Sequence, residues 1–350
     1  MKYAVAHLID DASFGGINRM LAHLEATSED GAVCHRIVRV RRGQMNLPQM
    51  QADVVVSHLS TSWSNMPLFT ALRAAYPDQP LIHVEHSYSE RFAALNVTSR
   101  ARFGALLKSA YALFDRVVAV SEAQANWLVR RGFVAEQKLH VIHPCVDLEP
   151  FMEAASAPAP GRRIVGALGR FDTQKGFDIL IKAFRALPTS DMTLHLYGDG
   201  PEREALVALA AGQPNIVFKG FAANPAEAIA ECDVIAMPSR WEPFGLVALE
   251  ALAASRPVIC PRADGMACHL VAGAIDVQEN TPGGWAACLE EVFSVPADIV
   301  DGERVASEAM ASFEREWTEL LQSVTPSASP VAPGAITGFA AATRQDLHAG

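Results

Sequence analysis

Pro238-Ser239-Arg240-Trp241-Glu242-Pro243-Phe244-Gly245-Leu246-Val247-Ala248-Leu249-Glu250-Ala251-Leu252 is the stretch whose reading decides the fold. The apolar run before it, Val234-Ile235-Ala236-Met237, has the length and type of a buried parallel strand. Pro243 and Gly245 mark a turn, and the Ala- and Leu-rich residues after them favour helix. That order puts Glu242 in a strand-to-helix loop and Glu250 inside the helix. Between the two carboxylates lie the first-turn backbone N–H groups, which have no intrahelical partner and favour an anion. Carboxylates accept hydrogen bonds from sugar hydroxyls, and free N–H groups hold phosphate. The combination suits a sugar nucleotide.

The same logic extends upstream. Ile164–Leu168 reads as a strand, followed by Gly169-Arg170-Phe171-Asp172-Thr173-Gln174-Lys175-Gly176 and a helix over Phe177–Leu187. Arg170 offers a planar fork to phosphate oxygens and Lys175 a point charge, so the loop reads as a diphosphate cradle. Thr193–Tyr197 ends in Gly198-Asp199-Gly200-Pro201, with Pro201 suited to a first helical position. Ile216–Lys219 with Gly220-Phe221 is a further strand and loop, and Pro257–Cys260 another strand. In the first half, Tyr3–Ile9 reads as a buried strand leading through Gly15-Gly16 to a helix over Ile17–Ala26. A glycine pair there lets backbone approach a ligand, although a plain tight turn fits equally well. Further strands are expected over Arg36–Val40, Asp53–His58, Leu81–Glu85, Arg116–Val120 and Leu139–Ile142. Helical segments between them predict doubly wound parallel sheets, whose ligands sit beyond the strands' carboxyl ends. His86 falls just past one such end.

Glu242-x7-Glu250 with Phe244-Gly245-Leu246 inside it, together with Gly-Arg-x4-Lys-Gly over 169–176, resembles the signature of family 4 glycosyltransferases, retaining enzymes of the GT-B fold. The resemblance covers about residues 1–322. It implies an α/β protein with two Rossmann-like, doubly wound parallel-sheet domains facing a central cleft. It also implies that Arg170, Lys175 and the backbone of Phe244, Gly245 and Leu246 hold the diphosphate. Glu250 would then take the ribose hydroxyls and Glu242 the hydroxyls of the sugar. Gly15, Gly16, Gly169, Gly198 and Phe221 would lie along the donor nucleotide, and His86 would contact the sugar and help place the reacting groups. His86, Glu242, Arg170 and Lys175 form the implied catalytic set. Two segments depart from the family pattern. Pro144-Cys145 stands where Asn-Gly is usual, and Arg262-Ala263-Asp264-Gly265-Met266 replaces Gly-Gly-x-Pro-Glu, so the donor-side loop is not carried over.

At 350 residues the chain exceeds one ordinary core, and two domains are expected. Residues 1–153 form the acceptor-side domain and 154–161, rich in Ala, Pro and Ser, a linker. Residues 162–300 form the sugar-nucleotide domain, 301–322 a helix crossing back to the first, and Ser323–Gly350 a disordered tail. Residues 1–150 carry 15 Lys and Arg against 14 Asp and Glu, and the remainder 14 against 25, which argues against a nucleic-acid binder. Six scattered cysteines without C-x-x-C indicate neither a zinc site nor a disulfide framework. No apolar run approaches the ~20 residues of a membrane span, and Met1–His7 runs straight into a strand pattern, so a cytoplasmic setting is expected. Ser89–Tyr111 carries Arg91, Arg100, Arg102 and Lys108 among apolar residues. Such a helix can lie on anionic lipid at the inner face of the cell membrane, or simply pack with a solvated cationic face.

The expected reaction moves a sugar from a UDP- or GDP-sugar to a hydroxyl of a saccharide or lipid-linked acceptor, with retention. Bacterial surface or secreted polysaccharide synthesis is the setting that the resemblance implies. No Asp-x-Asp occurs in the chain, so no metal and no cofactor are expected. The rival readings are a glycosidase carboxylate pair, a dehydrogenase and a non-catalytic sugar-nucleotide binder of the same fold. The first two leave the phosphate-binding features or the missing G-x-G-x-x-G unexplained; the third is separated by turnover.

Overall fold

The computed structural model describes residues 3–10, 15–27, 33–41, 47–155, 163–187, 192–294 and 300–325. The first sheet is built from β1 (Tyr3–Ile9), β2 (Val33–Arg39), β3 (Val54–Ser57), β4 (Leu81–Glu85), β5 (Arg116–Ala119) and β6 (Leu139–Val141). Its order is β2-β1-β3-β4-β5-β6, parallel throughout. The second comprises β7 (Ile164–Leu168), β8 (Thr193–Tyr197), β9 (Ile216–Gly220), β10 (Val234–Ala236), β11 (Val258–Cys260) and β12 (Ile275–Asp276). Its order is β12-β11-β10-β7-β8-β9, again parallel. These are two Rossmann-like domains.

Helices cover both sheets. The first half contributes α1 (Gly16–Ala26), α2 (Met66–Ala75), α3 (Glu90–Asn96), α4 (Arg100–Ala112), α5 (Glu122–Arg130) and α6 (Glu149–Glu153). The second contributes α7 (Phe177–Ala186), α8 (Arg203–Leu209), α9 (Pro225–Ala230), α10 (Leu246–Ala253), α11 (Ala267–Val271), α12 (Pro282–Ser294) and α13 (Gly302–Val324). With both faces covered, the strands are continuous apolar runs, and Val54, Val55 and Val56 are fully enclosed.

One apolar cluster joins the two halves. It takes Val5 and Ile9 from β1, Met20 and Leu21 from α1, Ala248 and Leu252 from α10, and Phe313 and Trp317 from α13. In α13 the buried residues Phe313, Trp317, Leu320 and Leu321 recur at one-turn spacing, which gives the helix its inward stripe. Trp317 stands edge-on to His7 of β1 and His35 of β2.

The structure departs from the sequence reading in several places. β2 begins at Val33, three residues before the strand expected from Arg36. The helix expected over Ser89–Tyr111 is two helices broken at Val97–Ser99, where two β-branched residues precede a serine that caps better than it propagates. Ser323 and Val324, expected in the tail, are the last two residues of α13. β12, only two residues long, had no pattern to announce it. Most of the expected linker and of the tail lies outside the described residues. Among the described residues no helix is long and apolar enough to cross a membrane.

Candidate active site

Both sheets change direction of strand order at their first strand, so the loops after β1, β7 and β10 open at the two switch points. β7 and β10 are adjacent, which brings the loop carrying Lys175 against the loop carrying Glu242. Lys175 Nζ donates to Glu242 Oε2 at 2.5 Å, and Ser239 Oγ donates to the same oxygen at 3.3 Å. The carboxylate is buried, and both contacts fall on one of its oxygens. An ammonium has three N–H donors, so Lys175 keeps capacity for a further acceptor while it holds Glu242.

The turn after Glu242 is fixed from several sides. Gly245 caps α10 with φ 97°, in the left-handed region that glycine occupies without steric cost. His269, which burial holds as the neutral imidazole with a pKa of about 4, donates Nε2–H to the Phe244 carbonyl at 3.0 Å. Phe244 also stacks on His143. Gly265 N–H donates to the Glu242 carbonyl at 3.0 Å, so the loop that departs from the family pattern lies directly under the signature turn. A Cβ on Gly265 would stand 1.9 Å from the Pro243 carbonyl oxygen. Gly265→Ala is therefore expected to displace this turn and to lower stability by about 1–3 kcal/mol, the usual penalty for forcing atoms into packed space. Thermal unfolding checks it; an unchanged Tm would contradict the packing described.

Glu250 lies on α10 and is only 1% exposed. Arg19 of α1 donates Nη1–H to its Oε1 at 2.7 Å, an ion pair made between the two halves of the chain. Oε2 is buried with no hydrogen-bond partner among the described residues. Burial pushes the Glu250 carboxyl above its ordinary range, and Arg19 pulls the other way. Gly16 meets the same helix, where a Cβ would lie 2.8 Å from Leu246 Cδ1. Asp264 makes a second contact between the halves: its carboxylate accepts from Ser89 Oγ at 2.7 Å and from the Arg91 N–H at 3.2 Å. Burial raises the Asp264 carboxyl too.

The structure thus brings together Gly16, Lys175, Glu242, Phe244, Gly245, Leu246 and Glu250. Gly15 is the N-cap of α1. Gly169 and Gly198 pack on each other, the latter at φ 144° with its would-be Cβ 1.9 Å from the Gly169 carbonyl oxygen. Arg170 is not drawn into the cluster; its side chain is 72% exposed and lies 3.8 Å from Asp172. Phe221 is 62% exposed at the rim. His86 sits at the carboxyl end of β4, hydrogen-bonded through Nε2 to His58 Nδ1 at 2.8 Å, and burial pushes its pKa down to about 4. The sequence reading missed Arg19, Ser239, His269 and Asp264. Arg19 had a signal, one turn into the helix that follows Gly15-Gly16; the others act through the fold.

Residues 162–294 match the family model described as glycosyl transferases group 1, and residues 30–150 the one described as Glycosyltransferase Family 4. The chain belongs to the family 4 glycosyltransferases. A D-inositol 3-phosphate glycosyltransferase of Mycolicibacterium gilvum is 30% identical over 225 residues, 57% of this chain and 48% of the relative. The N-acetylgalactosamine-N,N'-diacetylbacillosaminyl-diphospho-undecaprenol 4-alpha-N-acetylgalactosaminyltransferase of Campylobacter jejuni is 28% identical over 159 residues, 44% of this chain and 43% of the relative. The chain spans about half the length of the curated relatives it matches. Among solved structures, Anabaena HepE in complex with UDP and glucose superposes with a TM-score of 0.69 at 19% identity, covering 92% of this chain and all of that one. The fold is GT-B, as the family resemblance led one to expect.

Proposed function

We propose that this chain is a retaining, metal-independent glycosyltransferase that moves a sugar from a nucleoside-diphosphate sugar to a hydroxyl of a saccharide or lipid-linked acceptor. The observation that carries the reading is the convergence of Lys175, Glu242 and the Gly245-capped start of α10 at the sheet's switch point, with Glu250 one helix turn beyond. Lys175 and the first-turn N–H groups of α10 would stabilise charge developing on the departing diphosphate, with Arg170 swinging in from solvent. That is electrostatic catalysis by prearranged donors. Glu242 would accept from sugar hydroxyls, and Glu250 Oε2 from a ribose hydroxyl once the nucleotide uncovers it. UDP is the first nucleotide to test, because HepE is solved with UDP and with UDP-glucose. A lipid-linked acceptor is supported by the Campylobacter relative, whose name carries a diphospho-undecaprenol. We read a surface-polysaccharide pathway from the family alone.

Calorimetry of UDP, GDP and ADP with EDTA present tests the reading, alongside Glu250→Ala. One nucleoside diphosphate is expected to bind without metal, and the mutant to bind it about tenfold or more weakly, as loss of a buried charged hydrogen bond implies. Equal binding by the mutant would remove Glu250 from the site. Binding without hydrolysis or transfer of any donor sugar would favour a non-catalytic binder.

Contact with an anionic membrane is part of the same proposal. A groove of about 470 Å³ between α4 and the end of α5 is lined by Arg100, Lys108, Arg130 and Arg131 with Phe133 at its side. Clustered cations next to apolar surface suit anionic headgroups at the cytoplasmic leaflet. The protein is expected to float with anionic liposomes at low salt and to stay behind with neutral ones; failure to float with either would end this part of the proposal.

A further inference from the structure

Four neighbouring strands of the first sheet each place one histidine on the same inward face. The pattern is Val33-x-His35-x-Ile37 on β2, Val5-x-His7-x-Ile9 on β1, Val54-x-Val56-x-His58 at the end of β3, and Ile82-x-Val84-x-His86 at the end of β4. The flanking residues belong to the apolar cluster under α1 and α13, so each imidazole stands where an aliphatic side chain would pack. Burying a polar ring there costs stability unless its nitrogens are bonded. The solution is mutual. His35 Nδ1 meets His7 Nε2 at 2.8 Å, His7 Nδ1 meets His58 Nε2 at 2.9 Å, and His58 Nδ1 meets His86 Nε2 at 2.8 Å. The rings lie 5.1 Å apart at each step.

A neutral imidazole has one N–H and one bare nitrogen. Every link joins a Nδ1 to a Nε2, so the four rings have only two ways to bond without a mismatch: all carry the proton on Nδ1, or all carry it on Nε2. We propose that His58, His7 and His35 are positioning residues that set the tautomer of His86, so that the nitrogen His86 presents on the side away from His58 is decided as far away as β2. This rests on the reading that His86 borders the reacting groups. A proton reaching His86 Nδ1 would send the Nε2 proton to His58 Nδ1, and the same exchange repeats along the chain. Only N–H bonds form and break, and the chain gains one proton in all. A second would leave two N–H groups facing each other. The chain therefore holds one charge at most, which limits how His86 can act as a base. Trp317 of α13 stands beside the far end, edge-on to His7 and His35.

Nitrogen NMR of protein labelled at histidine tests this without donor or acceptor, since ring shifts report the tautomer directly. In the wild type the four rings are expected to share one tautomer. His7→Phe, two rings away from His86, is expected to shift the His86 nitrogens toward a mixture, and His7→Gln, which can still donate and accept, to restore them. His35→Phe, at the chain's end, is a second break should His7→Phe fold poorly. Unchanged His86 signals in a folded break variant would overturn the proposal. Calorimetry of UDP, GDP and ADP on the same samples separates the two ideas: absence of binding of all three by the wild type would sink the transferase reading and leave the histidine chain standing. Where turnover is measured, His7→Phe is expected to lower kcat roughly tenfold with the donor KM unchanged, as befits a group acting through a residue that helps place the reacting groups. A rise in KM with kcat intact would contradict a positioning role.

Discussion

Lys175→Met is expected to cut kcat/KM for sugar transfer by about 10²–10³, the loss seen when one prearranged donor to a developing anion is removed. The same change takes the cation from Glu242, a buried carboxylate whose partner at 2.5 Å is Lys175. Removing one member of such a pair leaves the other desolvated and unmatched, at about 1–3 kcal/mol. Stability and activity should therefore fall together in the single variant and separate in the double one. Lys175→Met with Glu242→Gln is expected to recover most of the lost Tm, because both charges are gone, and none of the activity. Steady-state turnover with the donor found by calorimetry, and thermal unfolding of the three proteins, check this. Activity within threefold of wild type in Lys175→Met would show that Lys175 does not serve the diphosphate. A double variant no more stable than the single one would show that the ion pair is not what holds this loop.

Acid is expected to unfold the protein well before its carboxylates have all titrated. His7 and His58 are held far below the ordinary imidazole pKa by burial, and His35, His86 and His269 are pushed to about 4. In the unfolded chain these rings take up a proton near pH 6.5. Below that pH the unfolded state binds more protons than the folded one, so stability falls as pH falls. Each such ring contributes about 1.4 kcal/mol per pH unit until its folded pKa is reached. Glu250 and Asp264 act in the opposite sense, since their raised carboxyls relieve a buried charge as they protonate. They are outnumbered. With a total stability on the order of 5–15 kcal/mol, several rings titrating together should exhaust it between pH 6.5 and 4. Urea unfolding at half-unit steps from pH 7.5 downward measures this. A midpoint that stays level to pH 5 would mean that these rings are not neutral in the folded protein.

How much of this was readable beforehand follows from what a linear pattern can carry. The strands announced themselves because a parallel strand covered on both faces is a short apolar run, and Leu81–Glu85, Ile164–Leu168 and Thr193–Tyr197 lie where they were expected. Glu242, Gly245 and Glu250 were legible because one loop and one helix hold all three. Lys175 was legible as a motif, but its pairing with Glu242 needed the adjacency of β7 and β10. Arg19 and Glu250, 231 residues apart, meet only through the contact between halves. His86 was legible at its strand end, but its link to His58, His7 and His35 was hidden for the same reason. Each is one polar residue in an apolar alternation, and nothing along the chain says that four strands align them.

The cover that α13 gives the first sheet also sets a schedule for synthesis. Val5, Ile9, Val54 and Val56 share their cluster with Phe313, Trp317, Leu320 and Leu321, residues made last among the described ones. A ribosome adding about 5–20 residues per second needs roughly 10–35 s to pass from β6 to the end of that helix. For that interval the nascent first half stands complete in its strands, covered by α1 but bare where α13 will lie, and whatever shields apolar surface at the exit tunnel has that long to act.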